Sequence, residues 1–559
     1  MNRADSPRRL VYNGSTSFEL SVLPPVSQVM QTPWVRMLLL SPSFLLFWQW
    51  SGAVAEPTTR TVAKGRVFHD QNDNGVYDDG EKLFSGVRVS NGREIVTTKA
   101  SGCYELPIDD DSVVFVIKPS GWRTPLSKHQ LPRFYYLHKP KGSPAAKYAG
   151  VGPTGPLPDS IDFPLYSQRE PKQFKALLFG DPQPRDQKEL DYIAHDVIEE
   201  LVGTDASFGV TLGDIMFDNL SLFESGAKAI AVLGIPWYNV IGNHDINTDS
   251  HSRQHLNESF ERVFGPSYYS FDYGPVHFLV LDDIAWKYDD ETGKGKYHGG
   301  LGTRQMEFIR QDLQLIPQSQ LVVLLMHIPL VDVEDRQELY RLIEKRPFCM
   351  SVSGHMHHHE HRFITQKDGW RGPKPHHHVI NVTVSGSWWS GAPDERGIPH
   401  TMMADGAPNG YSIISFDGAK YAIDFKAAGK PDDYQMRIVM PKSLTRNTDP
   451  VPMFVNVFNG SERSAVEMRI DGGAWKKLNQ TLAPDPLFVQ IVVADKVNES
   501  KNWRNLPAPK NSTHLWSGKL STDLSEGVHL LEVKAVDMNG RAQWGRRVFR
   551  VKALESTQP

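Results

Sequence analysis

The chain has 559 residues, with 61 Lys plus Arg against 65 Asp plus Glu and a formal charge of −4 at pH 7. That length exceeds one ordinary domain and suggests roughly three to four units of ~150 residues. The near-balanced charge offers no basic footprint for nucleic acid and no general attraction to anionic membrane. The two cysteines, Cys103 and Cys349, are too few for a disulfide framework or a thiolate zinc site.

Residues 1–29 are polar and contain Pro and Ser. They precede RMLLLSPSFLLFWQWSGAVAEP, where Arg36, a short apolar run and Ala53-Val54-Ala55 follow the order of a secretory signal. The run falls short of the ~20 apolar residues of a membrane span. Residues 1–55 are therefore read as an extension plus signal peptide, with translation expected to begin at Met30 or Met37. The mature chain is expected to be secreted or periplasmic and without a transmembrane span; an uncleaved anchor is the alternative.

Residues 61–165 read as short alternating segments such as GVRVS and DSVVFVIK between Gly, Asn and Asp turns, a small β-sandwich. Pro- and Gly-rich sequence from Lys139 to Pro158 closes it as a linker. Within it, DQNDNGVYDDGE fits the calcium-loop pattern D-x-[DN]-x-[DN]-G-x5-E, with Asp70, Asn72, Asn74, Asp78 and Glu81 at ligand spacing and Gly75 at the turn. Flanked by strands, this loop resembles those of the B-type repeats of bacterial surface adhesins, which carry calcium. A metal-free hairpin turn is the alternative.

Residues 172–428 change to apolar strands alternating with amphipathic helices, an α/β pattern. The strands are FKALLFG, ASFGVTLG, IPWYNVIG, VHFLVLDD, LVVLLMH and FCMSVSG; the helices are expected around Gln187 to Leu201, Leu220 to Leu233, Thr303 to Leu315 and Asp335 to Glu344. Residues 432–555 return to short alternating strands, as in VPMFVNVFNG and RRVFRVK, and read as a terminal β-sandwich of immunoglobulin-like type. The fold class is thus multidomain, a central α/β core flanked by small all-β sandwich domains.

Five of the core strands deliver a metal-competent side chain at their C-terminal ends, the edge where open α/β sheets place ligands. FKALLFG leads to Asp181-Pro182-Gln183, VTLG to Asp214, YNVIG to Asn243-His244-Asp245, LVVLLM to His327, and MSVSG to His355-Met356-His357. Two divalent cations need this mixture of oxygen and nitrogen donors, with Asp214 the natural carboxylate to share between them.

In this order the motifs resemble those of the calcineurin-like metallophosphoesterases, D-x-H, GD, GNH(D/E), H and GHxH, over Lys175 to Lys426. The wider arrangement is similar to that of large secreted bacterial members. The resemblance implies an αββα sandwich core in which Asp181, Gln183, Asp214 and His357 hold one metal and Asp214, Asn243, His327 and His355 the other. It also implies that His244 acts as general acid or as a clamp on the phosphoryl group. Gln183 departs from the family's histidine, and its harder oxygen tilts the expected metals from zinc or iron toward manganese or magnesium, with manganese favoured.

Asp218 lies four residues after Asp214, where relatives often carry their orienting Asp after three; it is read as a candidate to orient His244. Asp245 is read as a second partner or a polar turn. His358, His359 and His361 are expected at the cleft rim or in solvent, and His376 to His378 in a solvated loop. Trp388, Trp389, Asp405, Asn409 and Tyr411 are candidate substrate contacts on an irregular loop that closes over a ligand, with plain aromatic packing as the other reading. Tyr297 and His298 are expected in a solvated turn, with a place in the cleft as the other reading.

The expected function is an exported two-metal hydrolase of a phosphomonoester or phosphodiester, its partner a small phosphate ester. The alternative is a non-catalytic adhesion or carbohydrate-binding protein with a degenerate core, motivated by the β domains and by Gln183. A protein phosphatase is a third reading, disfavoured because no basic peptide groove is evident.

Overall fold

The computed structural model describes residues 61–553 except 290, 293, 400 and 401. The signal-like segment and both candidate start methionines lie outside the described residues. No helix among those described is long and apolar enough to cross a membrane.

Two sheets packed face to face form the centre. The first runs Trp237–Val240, Phe208–Leu212, Gln173–Phe179, Gly410–Asp417, Lys420–Ala427, parallel across its first three strands and antiparallel across the rest. The second runs Tyr269–Tyr273, Val276–Val280, Leu321–Leu325, Cys349–Ser353, His376–Ile380, Glu360–Ile364, with its four inner strands parallel. All six strands expected from the apolar runs are present. They read as continuous apolar segments because a parallel strand covered on both faces has no solvent side to alternate toward.

Phe208 meets Phe271 and Phe278 across the sheet interface, with ring centroids 5.7 and 5.3 Å apart. Outside the first sheet, Leu190, Ile193, Phe223 and Ala227 from the helices Gln187–Ile193 and Phe223–Ile230 bury against Leu177 and Phe179. Outside the second, the helix Thr303–Gln314 turns Met306, Ile309 and Leu313 inward on one stripe, beside Arg336–Ile343. The Asp186 side chain accepts the Glu189 amide and so starts the first helix.

Upstream, two four-stranded sheets carry the residues from Thr61 to Ser167. Their Arg88 enters the central fold and pairs with Asp272 and Asp312 at 2.6 and 2.8 Å, while His277 bridges the same two carboxylates at 2.7 and 2.9 Å. Asp70, Asn72, Asn74, Asp78 and Glu81 lie together in one turn tied by hydrogen bonds. Asp70 accepts from the Asn74 and Gly75 amides and from Tyr166, and Glu81 accepts from the Gln71 and Asp78 amides. The side-chain amides of Asn72 and Asn74 both donate to Asp78.

Downstream, sheets of four and five strands enclose Met453, Val455, Trp516, Leu531, Val533 and Phe549 in one core. The alternating pattern did not predict the helix Pro486–Val497 in this part of the chain. Asp485 caps it through the Phe488 amide, and Pro486 supplies its first turn.

Candidate metal centre

The two central sheets bring the five expected strand ends together on one edge. Gly180, Gly213, Gly242 and Gly354 each precede a candidate ligand, and a Cβ there would lie 2.6 Å from the Val382 carbonyl oxygen, 2.4 Å from His327 Nδ1, 2.1 Å from the Asp214 nitrogen and 2.6 Å from Asp181 Oδ2, respectively. These glycines are the clearance that lets the ligand-bearing turns close on one another. Asp181, Gln183, Asp214, His355 and His357 all adopt left-handed φ, between 43° and 73°. Such strain persists only where the surroundings fix it, and it concentrates at functional sites.

The donor atoms converge. His327 Nδ1 donates to the Leu212 carbonyl at 2.8 Å, which turns its Nε2 toward Asn243 Oδ1 at 3.1 Å, His355 Nδ1 at 3.1 Å and Asp214 Oδ1 at 3.3 Å. His357 repeats the device: Nδ1 donates to the Gly386 carbonyl at 2.7 Å, and Nε2 stands 3.8 Å from Asp181 Oδ1. Fixing the tautomer through the other ring nitrogen is how metal-binding histidines are oriented. Gln183 packs its amide nitrogen against Asp214 Oδ2, and its Oε1 is buried without a hydrogen-bond partner.

The electrostatics are those of a site that needs positive charge. Burial and the neighbouring Asp214 push Asp181 up to about 8. Burial acts the same way on Asp214, but the attraction of His327 holds its carboxyl well below the ordinary range, while His327 is pushed up to about 10. Burial drives His355 down to about 4 and His357 to about 3, so both stay neutral with free lone pairs. Facing imidazole lone pairs, paired buried carboxylates and an orphaned amide oxygen fit divalent cations, with Asp214 central to both halves.

His244 stands at the mouth. Its amide donates to Asp214 Oδ1 at 2.9 Å, its Nδ1 lies 2.7 Å from Asp218 Oδ1, and its ring stacks on Phe217 at 4.4 Å. The Arg185 guanidinium covers the same Phe217 ring at 4.0 Å. Asp245 is fully buried and accepts the amides of Ile215, Met216 and Gly242, which ties the Asp214 and Asn243 turns to each other.

Several expectations are corrected. Asp405, Asn409 and Tyr411 line no cleft: Asp405 is buried against His514 and the His359 amide, Asn409 donates to Asp196 and the Val384 carbonyl, and Tyr411 packs on Phe179. Trp389 is buried and donates to the Pro182 carbonyl, whereas Trp388 stacks on His357 at 4.0 Å. His376 to His378 form a strand rather than a solvated loop, because Ser351 offers its hydroxyl to both His376 and His378 in the interior. His359 and His361 are buried at Asn459 instead of lining the rim. Tyr297 sits in a hairpin, edge-on to His355 at 5.9 Å, not in a solvated turn; His298 lies in the same hairpin beside Glu334 at 3.5 Å.

Some of the surroundings escaped the sequence reading. Asp283 accepts the amides of His327 and Ile328 and so aims the His327 turn; it ends the strand VHFLVLDD, the same signal that marked the other carboxylates. Arg504 and Lys510 of the C-terminal part reach the site's loops, Arg504 to Glu189 and the carbonyls of Trp388 and Trp389, Lys510 to the Met356 carbonyl at 3.2 Å. Nothing local marks either residue.

Residues 71–149 match the family model described as the N terminal of calcineurin-like phosphoesterase, and residues 378–542 match the one described as its C terminal. No curated protein matches the chain. Among solved structures, the chain is similar to a purple acid phosphatase, PPD1, isolated from yellow lupin (Lupinus luteus) seeds, at 15% identity, with a TM-score of 0.34 over 62% of this chain and 75% of that one.

Proposed function

We propose that the chain, whose residues 71–149 and 378–542 match the N- and C-terminal models of calcineurin-like phosphoesterases, is a metal-dependent phosphoric ester hydrolase that cleaves a small phosphomonoester or phosphodiester outside the cytoplasm with two divalent cations, manganese favoured. The observation that carries this reading is the convergence of Asp214, His327 and His355, whose ligand atoms all lie within 4.8 Å of one another. Asp181, Gln183, Asp214 and His357 would hold one cation, and Asp214, Asn243, His327 and His355 the other. When bound, such a pair supplies charge to offset the phosphoryl oxygens and to acidify water.

The chain's own groups do the rest. His244, oriented by Asp218 through Nδ1, presents Nε2 to the leaving oxygen and hands it a proton. Trp388 over His357 and Tyr297 beside His355 narrow the entrance and exclude water from the reacting face. The oxygen of Gln183 in place of an imidazole supports manganese over zinc. Export is supported by the signal-like order from Arg36 to Ala55.

The test is hydrolysis of para-nitrophenyl phosphate and of bis-para-nitrophenyl phosphate with added manganese, beside Asp214→Asn. Turnover that disappears in the variant supports the reading, and the preferred reagent gives the ester class. A folded, manganese-loaded chain inactive on both would sink it.

A further inference from the structure

A cleft of about 630 Å³ opens between the outer edge of the central fold and the C-terminal sandwich. It shares no residue with the metal centre. Phe363, His377 and Tyr421 form a ladder of near-parallel rings in its wall: Phe363 and His377 are 5.0 Å apart at 16°, and His377 and Tyr421 are 5.8 Å apart at 15°. The pleat explains the first pair, since Phe363 lies directly opposite His377 in register.

The polar atoms of this wall are spent on one another. Asn459 Nδ2 donates to the Ile423 carbonyl at 2.8 Å, which leaves its Oδ1 to accept from His361 Nε2 at 2.8 Å. His361 Nδ1 then accepts from His377 Nε2 at 2.9 Å, and His377 Nδ1 accepts from the Tyr421 hydroxyl at 2.8 Å. Burial pushes His361 down to about 4 and His377 well below the ordinary range, so the relay carries no charge. Inside the ladder the ring faces lie against one another, so a face for a ligand ring is the outer one of Phe363, over which the exposed Arg463 side chain now lies.

The charge comes from elsewhere. Arg463 lays its guanidinium 3.5 Å over the Phe363 ring and extends the ladder with a flat cation. Lys374 and Lys420 stand in the same lining. None of the three has an ion-pair partner among the described residues. Of the two carboxylates present, Asp537 is engaged by Arg541 at 2.8 Å, and Asp417 sits at a hairpin turn.

We propose that this cleft binds a planar aromatic anion, its ring stacked on the Phe363 end of the ladder in the place Arg463 now takes, and its acidic group held by Arg463 with Lys374 and Lys420. The volume suits a small molecule, and a ring between aromatic and guanidinium faces gains from both stacking and cation–π attraction. The site is independent of the hydrolase activity.

The experiment is calorimetric titration of the whole chain with 2-naphthalenesulfonate, which has no ester to cleave. Methanesulfonate and 2-naphthalenemethanol serve as the charge-only and ring-only probes. The variants are Arg463→Ala, Phe363→Leu and Asp214→Asn. Naphthalenesulfonate should bind more tightly than either half-probe, lose about tenfold in Arg463→Ala, and bind Asp214→Asn unchanged. Arg463 is exposed, so its variant should keep the wild-type melting curve; Phe363→Leu, which keeps apolar volume without the ring, should weaken binding severalfold. The proposal is overturned by no heat at millimolar probe, by equal affinity in Arg463→Ala, or by loss of binding in Asp214→Asn.

Discussion

His244 Nδ1 and the Asp218 carboxylate are 2.7 Å apart, which leaves Nε2 as the one ring nitrogen free to meet a substrate. Burial lowers the pKa of His244, but the Asp218 bond and the Asp214 charge outweigh it, and the net shift is upward. A proton donor with a raised pKa works at neutral pH and fails as pH climbs through that pKa. Asp218→Asn should therefore lower kcat by about 10- to 100-fold and move the alkaline limb of the kcat/KM profile to lower pH. An unchanged limb would assign Asp218 no part in holding that proton.

Asp214 touches both halves of the centre. Asp214→Asn should strip metal as well as activity, with a loss beyond the ~10- to 100-fold typical of residues that merely orient ligands. Metal content by mass spectrometry after dialysis reads this directly. Gln183→His, which places an imidazole where the wild type has an amide oxygen, should retain zinc more tightly.

Gly242 has no room to become alanine. With its Cβ position 2.1 Å from the Asp214 backbone nitrogen, Gly242→Ala must push two ligand turns apart. The expected cost is about 1–3 kcal/mol of stability together with weakened metal binding. Thermal unfolding with and without manganese measures both, and a smaller stabilisation by manganese than in wild type is the result expected.

Far from the centre, burial lowers the pKa of His277, but Asp312 and Asp272 raise it further, to about 9 against an ordinary 6.5. A folded pKa above the unfolded one means that the stabilisation is complete below about pH 6.5 and disappears as pH rises through about 9. The melting temperature should fall between these values. His277→Leu should lose about 3–5 kcal/mol at neutral pH and flatten that decline, because Asp272 and Asp312 lose the buried cation that bridges them. Calorimetric scans across the pH range test the slope.

The core strands and the ligand turns were legible because each combines an uninterrupted apolar run with a glycine and a polar side chain at a fixed offset, as in VTLGD and VIGNH. The C-terminal sandwich helix was not, since LFVQIVVADKV is rich in β-branched residues and only its cap and tertiary packing make it helical. The histidines after His357 misled for a related reason. Polarity suggested water, whereas neutral imidazoles such as His361 and His378, hydrogen-bonded at both ring nitrogens, are satisfied inside. Asp405 and Asn409 looked like ligand contacts because loop chemistry and buried cross-links use the same side chains. No local pattern reveals that Arg504 and Lys510 fold back onto loops more than a hundred residues upstream in sequence.

The strand that carries Asp181 has as its second neighbour Gly410–Asp417, which is made long after it. During synthesis, Gln173–Phe179 therefore waits with one ladder of amides and carbonyls unanswered while the rest of the central fold emerges. Sheet closure is late by construction, and non-local pairing of this kind is slow and exposes an edge meanwhile. A ribosome stalled before Gly410 would carry a chain holding every proposed ligand yet lacking the strand that closes their sheet. On that timetable the metal centre takes its final form only after all of its proposed ligands have been made.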